Sequence, residues 1–211
     1  MSVVKTVIFD FDGTIADSFA TLLSIFEEIT GRKQKLTPAE IRNLRGEPLS
    51  EVMKYLKIKR WQIPRLLIKA RREIAIRIVG VKPFKDLPEV LEKLNDSGYQ
   101  MFILSTNSSG NISKFLKLHG LDSYFHGISG STGLLSKPAA LKKLLRREKI
   151  ALDACFYVGD EVRDIEAGQA IPVPQIAVSW GFNYPATLKQ AQPTYLASTP
   201  SDLLKILASH Q

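Results

Sequence analysis

Two aspartates one residue apart, Asp10 and Asp12, follow directly on the apolar run Val7-Ile8-Phe9 and lead into Gly13. Carboxylates at this spacing repel each other in a dry site unless one holds a proton or a cation lies between them. A hard divalent cation with oxygen ligands suits such a pair. Three more apolar runs end in residues of complementary chemistry. Tyr99-Gln100-Met101-Phe102-Ile103-Leu104 stops at Ser105-Thr106-Asn107, a cluster of hydroxyls and an amide. Ser136-Lys137-Pro138 follows a Gly/Ser-rich turn and opens a helical pattern. Cys155-Phe156-Tyr157-Val158 stops at Gly159-Asp160-Glu161-Val162-Arg163-Asp164, which returns two more carboxylates. Nucleophile, hydroxyl, lysine and acid pair arrive in that order.

Elements able to position these groups are legible in the pattern. Val7, Ile8 and Phe9 have the β-branched and aromatic character of a strand covered on both faces, and Gly13 marks the turn that follows. From Phe84 onward, helical and strand patterns alternate. Helices are expected over 86–96, 111–119, 138–148, 165–170 and 201–208, and strands over 101–104, 127–129, 156–158 and 175–178. Such alternation implies a parallel sheet with right-handed crossovers and helices on both faces. Pro172, Pro174, Pro185, Pro193 and Pro200 are read as loop markers. In open α/β sheets ligands bind beyond the carboxyl ends of the strands, which is where Asp10 and Asp12 fall.

Residues 16–83 read differently. Phe19, Leu22, Leu23, Phe26 and Ile29 recur at helical spacing, and Gly31 is placed to end that helix. Thr37-Pro38-Ala39-Glu40 carries an N-cap, a proline at the first helical position and a Glu at the third. Ser50 opens a further helix with Val52, Met53, Tyr55 and Leu56, and a last one runs over 64–79. This module holds 15 Lys/Arg against 7 Asp/Glu, which equals the whole net charge of +8.

With these residues in hand, the chain resembles the haloacid dehalogenase superfamily of phosphotransferases over nearly its whole length. Asp10-Phe11-Asp12-Gly13-Thr14 matches the first motif of that family, Thr106 the second, Lys137 the third, and Gly159-Asp160 with Asp164 the fourth. The segments Leu87-Pro88-Glu89-Val90-Leu91-Glu92-Lys93-Leu94 and Ala177-Val178-Ser179-Trp180-Gly181-Phe182 resemble its phosphoglycolate phosphatase and β-phosphoglucomutase branch. The resemblance implies an α/β, Rossmann-like catalytic core over residues 1–15 and 84–211, with an inserted α-helical cap over 16–83. It also implies a phosphatase for a small-molecule phosphate monoester that works through an aspartyl-phosphate. A sugar-phosphate mutase on the same core is the alternative.

The resemblance assigns Asp10 as nucleophile, a role in which a carboxylate splits one difficult displacement into two easier ones. Asp12, on the same side of the pleat, would protonate the leaving group and then activate water. The metal, Mg2+, would be held by Asp10, the Asp12 carbonyl and Asp160. Asp164, one helical turn on, would reach it through water or serve as an acid favoured at a helix N-terminus. Lys137 would supply a point charge to the phosphoryl oxygens, Thr106 a hydroxyl, and the backbone amides of Phe11 and Asn107 further donors. Glu161 points elsewhere at that spacing. Trp180-Gly181-Phe182 is read as aromatic packing under a loop. Arg45-Gly46 lies where the specificity loop of the resembled family is expected, and Arg45 would suit a carboxylate or second phosphate on the substrate.

Composition bounds the remainder. A chain of 211 residues can bury about 70% of its unfolded surface, enough for one α/β core with an insert. The first residues lack the succession of a secretory signal, and no apolar run reaches the length of a membrane span. Cys155 is the single cysteine, so no intrachain disulfide forms, and the expected compartment is the reducing cytoplasm. His119, His126 and His210 receive no role. The expected partner is a small-molecule phosphate ester, with the protein a monomer or weak dimer. The basic module leaves a nucleic-acid-binding reading as the rival, together with a catalytically silent protein on the same scaffold.

Overall fold

The computed structural model describes residues 5–31, 35–45, 47, 49–131 and 137–210. Six strands, β1 (Thr6–Phe9), β2 (Gln100–Leu104), β3 (Phe125–Ser129), β4 (Cys155–Gly159), β5 (Gln175–Val178) and β6 (Tyr195–Ala197), form one sheet in the order β3-β2-β1-β4-β5-β6. Every pairing is parallel. This is the doubly wound order, in which chain direction across the sheet reverses at β1 and opens a crevice at the strand ends.

Period-two alternation in β1 explains why it sits at the centre. Val7 and Phe9 enter a core with Leu87, Leu91 and Leu94 of α5 (Leu87–Asp96), Ile112, Phe115 and Leu116 of α6 (Ser109–Leu118), and Leu203 and Leu207 of the C-terminal helix over 200–208. Ile8 faces the other way, onto Leu141, Leu144 and Leu145 of the helix over 137–147 and Ala167 of the helix over 162–169. A strand buried on both faces has no polar position to offer until it ends. Asp10 is the first residue beyond it.

Between Ala16 and Pro83 the chain leaves the sheet and returns. Ala16 and Pro83 form an antiparallel bridge, the Asp17 amide donates to the Lys82 carbonyl at 2.9 Å, and the Phe84 amide donates to the Ile15 carbonyl at 3.1 Å. The excursion holds α1 (Phe19–Thr30), α2 (Pro38–Leu44), α3 (Leu49–Tyr55) and α4 (Ile63–Arg77). Its apolar cluster of Leu23, Leu36, Leu44, Val52 and Leu56 is separate from the two clusters against β1. Thr37 and Glu40 form a reciprocal capping box that starts α2. Arg77 donates to Glu28 and Glu73, tying α4 to α1.

Helix α7 (Lys137–Arg147) and helix α8 (Val162–Gln169) follow β3 and β4. Two elements depart from the sequence expectations. Pro185 begins helix α9 (Pro185–Gln190) and Pro200 begins α10 (Pro200–Ala208), each within the first turn, where a missing N–H costs nothing. Two of the five prolines read as loop markers, Pro185 and Pro200, are therefore helix starts, while Pro172, Pro174 and Pro193 do lie outside helices and strands. Strand β6 has only three residues at the sheet edge, too short for a periodic signal. Ser50 lies inside α3 rather than before it, and Ser136 lies outside the described residues.

Leu91 is fully buried between α5 and the sheet. Leu91→Ala is expected to lower unfolding stability by about 2–5 kcal/mol through lost transfer energy and a cavity. Urea unfolding followed by circular dichroism checks this.

Candidate active site

Strand register brings the sequence-distant motifs together. Phe9 pairs with Ile103 on one side and with Val158 on the other, and the Asp10 amide donates to the Val158 carbonyl at 2.8 Å. The residues that follow β1, β2 and β4 therefore emerge side by side at one edge. Lys137, the first residue of α7, points into that edge and is buried with Asp10, Asp160 and Asp164.

Lys137 Nζ donates to Asp10 Oδ2 at 2.7 Å and also to Asp164 Oδ1. Tyr157, buried within β4, donates its hydroxyl to the same Asp164 oxygen at 2.8 Å. The other Asp164 oxygen accepts the Glu161 amide at 3.1 Å, so Asp164 both caps α8 and anchors the lysine. Asp160 accepts the Thr14 hydroxyl on Oδ1 and the Phe182 amide on Oδ2, both at 2.7 Å. Carboxylate oxygens of Asp10, Asp160 and Asp164 lie within 4.8 Å of one another.

Two glycines allow this approach. A Cβ on Gly13 would stand 2.1 Å from Asp160 Oδ2, and one on Gly181 would stand 2.2 Å from Asp160 Cβ. Gly13 also has φ +82°, a conformation that favours glycine. Any side chain at either position would displace the acid.

Burial dominates the protonation equilibria. It pushes Asp10 up to about 7, although the Lys137 ammonium opposes the shift. Burial raises Asp160 well above the carboxylate range too, reinforced by the charges of Glu161, Asp10 and Asp164 and countered by the Phe182 amide. Lys137 moves the opposite way from a buried amine: desolvation favours the neutral form, but Asp10 and Asp164 overcome it and hold the ammonium. Two of the three carboxylates, Asp10 and Asp164, thus share one ammonium, and Asp160 is held by the Thr14 hydroxyl and the Phe182 amide. Among the described residues the next cation along, Arg163, is engaged by Glu161. An oxygen-rich cluster with surplus negative charge fits a hard divalent cation, and Asp10, Asp160 and Asp164 could hold one.

Asp12 occupies a neighbouring position. It lies beyond β1 in a turn, so its orientation comes from the turn rather than from the pleat. Oδ1 accepts the Ser18 hydroxyl at 2.7 Å and Oδ2 accepts the Asn107 amide group at 3.0 Å. Burial raises its pKa, with these two hydrogen bonds pulling it back. Thr106 is half-buried, two residues past the end of β2. The Asn107 backbone amide donates to Ser105 Oγ at 3.1 Å. Phe11 turns its ring into the core, edge-on to Phe115 at 5.1 Å.

Arg45 is placed differently from expectation. Its Nε donates to the Gly181 carbonyl at 2.8 Å and its Nη2 to the Trp180 carbonyl at 2.9 Å, so these donors meet backbone rather than a substrate anion. Gly46 lies outside the described residues. The loop Trp180-Gly181-Phe182, read as packing, holds Asp160 directly. Glu161 is near enough for its charge to act on Asp160. Tyr157 and Ser18 carry no sequence signal of their own, and Thr14 only its place in the first motif: each donates one hydroxyl to an acid that the fold sets opposite it.

Buried acids and a lysine at the carboxyl edge of a doubly wound parallel sheet define an α/β enzyme with its site at the strand ends. The sequence matches the family model "Haloacid dehalogenase-like hydrolase" over residues 7–178, and the chain belongs to that family. It is similar to the phosphoglycolate phosphatase of Synechococcus elongatus, at 34% identity over 96% of each chain. It is also similar to the pyrophosphatase PpaX of Listeria welshimeri, at 23% identity over 99% of this chain and 98% of that one. A solved haloacid dehalogenase-like hydrolase from Streptococcus pneumoniae superposes with TM-score 0.81 at 24% identity, covering all of both chains. Within its family the protein is a phosphatase. Among the described residues no helix is long and apolar enough to cross a membrane.

Because Asp10 binds its proton more tightly folded than unfolded, its burial costs stability progressively as pH rises from about 4 to 7. Asp10→Asn removes that cost and keeps an oxygen for Lys137. Metal-free Asp10→Asn protein is expected to melt higher than the native sequence, with a larger gain at pH 8 than at pH 5. Thermal scans in chelator at the two pH values check the sign.

Proposed function

We propose that the protein is a Mg2+-dependent phosphomonoesterase acting on a small anionic metabolite such as phosphoglycolate through an aspartyl-phosphate at Asp10. The observation that carries this reading is the Lys137 ammonium hydrogen-bonded to both Asp10 and Asp164, with Asp160 alongside. A carboxylate held at the rim of a sheet, beside an ammonium, can act as a nucleophile.

Asp10 attacks phosphorus through a carboxylate oxygen, and the bond from phosphorus to the ester oxygen breaks. Asp12, whose pKa is raised by burial, gives a proton to the departing alkoxide. Water then attacks the acyl-phosphate and returns a proton to Asp12 as the bond between phosphorus and Asp10 breaks, releasing inorganic phosphate. Ser18 and Asn107 hold the Asp12 carboxyl for both transfers. Lys137 offsets charge on the phosphoryl oxygens, and the Thr106 hydroxyl and Phe11 amide supply donors. Mg2+, held by Asp10, the Asp12 carbonyl and Asp160 with Asp164 in support, would neutralise the phosphate dianion.

Residues 16–83 serve as a cap, returning to the core where they leave it. Their positive charge draws anionic esters toward the crevice. The lone thiol, Cys155, is buried and its pKa is pushed up to about 12 by burial, which suits a structural residue in the reducing cytoplasm.

Activity on a panel containing phosphoglycolate, pyrophosphate, β-glucose 1-phosphate and an aryl phosphate is expected to vanish in chelator and return with Mg2+. Phosphoglycolate should have the highest kcat/KM. Turnover without a divalent cation would refute the metal assignment, and preference for pyrophosphate or net isomerisation of the sugar phosphate would replace the substrate. Asp10→Asn should lose turnover entirely while remaining folded, and residual turnover in that variant would remove the nucleophile role.

A further inference from the structure

Arg45 follows α2 and reaches from the helical segment to the loop after β5. Its guanidinium lies 5.4 Å from the centre of the Phe19 ring, and Phe19 lies 5.2 Å from Phe182. Tyr184 donates its hydroxyl to the Arg42 carbonyl. Residues of α1 and α2 therefore seat on the loop 180–184.

One peptide group of that loop faces both ways. Its carbonyl, on Gly181, accepts Arg45 Nε at 2.8 Å, and its N–H, on Phe182, donates to Asp160 Oδ2 at 2.7 Å. Carbonyl and N–H of a trans peptide point in opposite directions, so a cation from the helical segment and a carboxylate of the core pull on the two ends of one dipole. Hydrogen bonds in such a chain polarise and strengthen one another. The second Asp160 oxygen is tied to the same loop indirectly: Trp180 Nε1 donates to the Thr14 carbonyl at 3.2 Å, and the Thr14 hydroxyl donates to Asp160 Oδ1 at 2.7 Å. Asp160 is fully buried, and Gly181 leaves no room for movement toward the loop.

We propose that Arg45 is a positioning residue for the metal site: through the Gly181–Phe182 peptide it fixes the Asp160 carboxylate, so that seating of the helical segment and cation binding strengthen each other. The inference rests on the assignment of a divalent cation to Asp10, Asp160 and Asp164. By linkage the coupling is reciprocal, and a bound cation favours the seated segment as much as seating favours the cation.

The chain has two tryptophans, and Trp61 is 74% exposed, so Trp61→Phe leaves Trp180 as the reporter beside the coupling loop. In that background, Mg2+ binding without substrate is followed by Trp180 emission and by calorimetry. Arg45→Met is expected to raise the dissociation constant about fivefold or more. Arg45→Lys, with an ammonium able to meet one carbonyl, should recover part of the loss. In the parent protein, saturating Mg2+ should slow amide exchange across residues 37–45, and Asp160→Asn should abolish that slowing. If the parent binds Mg2+ and Asp160→Asn does not, but Arg45→Met binds as tightly as the parent, the coupling is refuted and the metal assignment stands. If the parent fails to bind, or Asp160→Asn binds equally well, the metal assignment fails and the inference with it. Should Arg45→Met not fold, Arg45→Gln, which keeps one amide donor group, takes its place with a smaller but measurable weakening expected, and unchanged affinity again overturns the inference.

Discussion

The organising constraint is the crowding of buried carboxylates around one ammonium. Lys137 stands at the first position of α7, where the helix dipole disfavours a cation, and it is almost fully buried. Its charge is kept there by Asp10 and Asp164, each of which in turn would be costly to bury without it. Neither the lysine nor the acids could occupy this edge singly. Their arrangement costs folding free energy, and the two faces of the sheet offset that cost: β1 is buried on both sides by apolar side chains, and the charged groups begin one residue past its end.

The adjacency of β1 and β4 converts sequence distance into proximity. Asp10 and Asp160 lie one step beyond paired strands, and glycines at 13 and 181 let backbone close on the Asp160 carboxyl from two directions. Tyr157 adds a donor from inside β4 to the acid that shares the lysine. The site is thus braced by strand, turn and helix at once, which leaves its carboxylates oriented while their mutual repulsion persists. Surplus negative charge with fixed geometry is the condition under which a hard cation binds in preference to protons.

Most strands were readable from the apolar runs because a parallel sheet buries both faces and removes polar alternation; their order in the sheet was not. The residues at the strand ends stood out for the same reason: a carboxylate directly after a buried apolar run has no other explanation within the run. Asp164 shows where reading by spacing stops short. The acid expected at a helix start does cap α8, one oxygen taking the Glu161 amide, while the other oxygen takes the lysine and tyrosine, a role that spacing alone did not give. Pro185 and Pro200 misled because proline disfavours helix interiors yet suits the first turn, and the residue type alone does not say which applies. The contacts of Thr14, Ser18 and Phe182 were not legible, although Thr14 and Phe182 stood in segments that carried the resemblance, because a hydroxyl or backbone amide gains its role from what the fold sets opposite it.

Positive charge in residues 16–83 acts in two physically distinct ways. Exposed lysines and arginines contribute a field that reaches the crevice through solvent, and salt screens it over about 10 Å at 0.1 M ionic strength. Arg45 acts at hydrogen-bond distance on a half-buried peptide, where screening is weak. A segment that only attracted substrate could tolerate rearrangement of its charges. One that also orients Asp160 through a single peptide cannot, because a guanidinium's two donors must meet two successive carbonyls while the intervening amide keeps its acid. That geometric demand falls on one arginine among 15 basic residues of the segment, and it makes the metal site dependent on where the helices sit as well as on how many charges they carry.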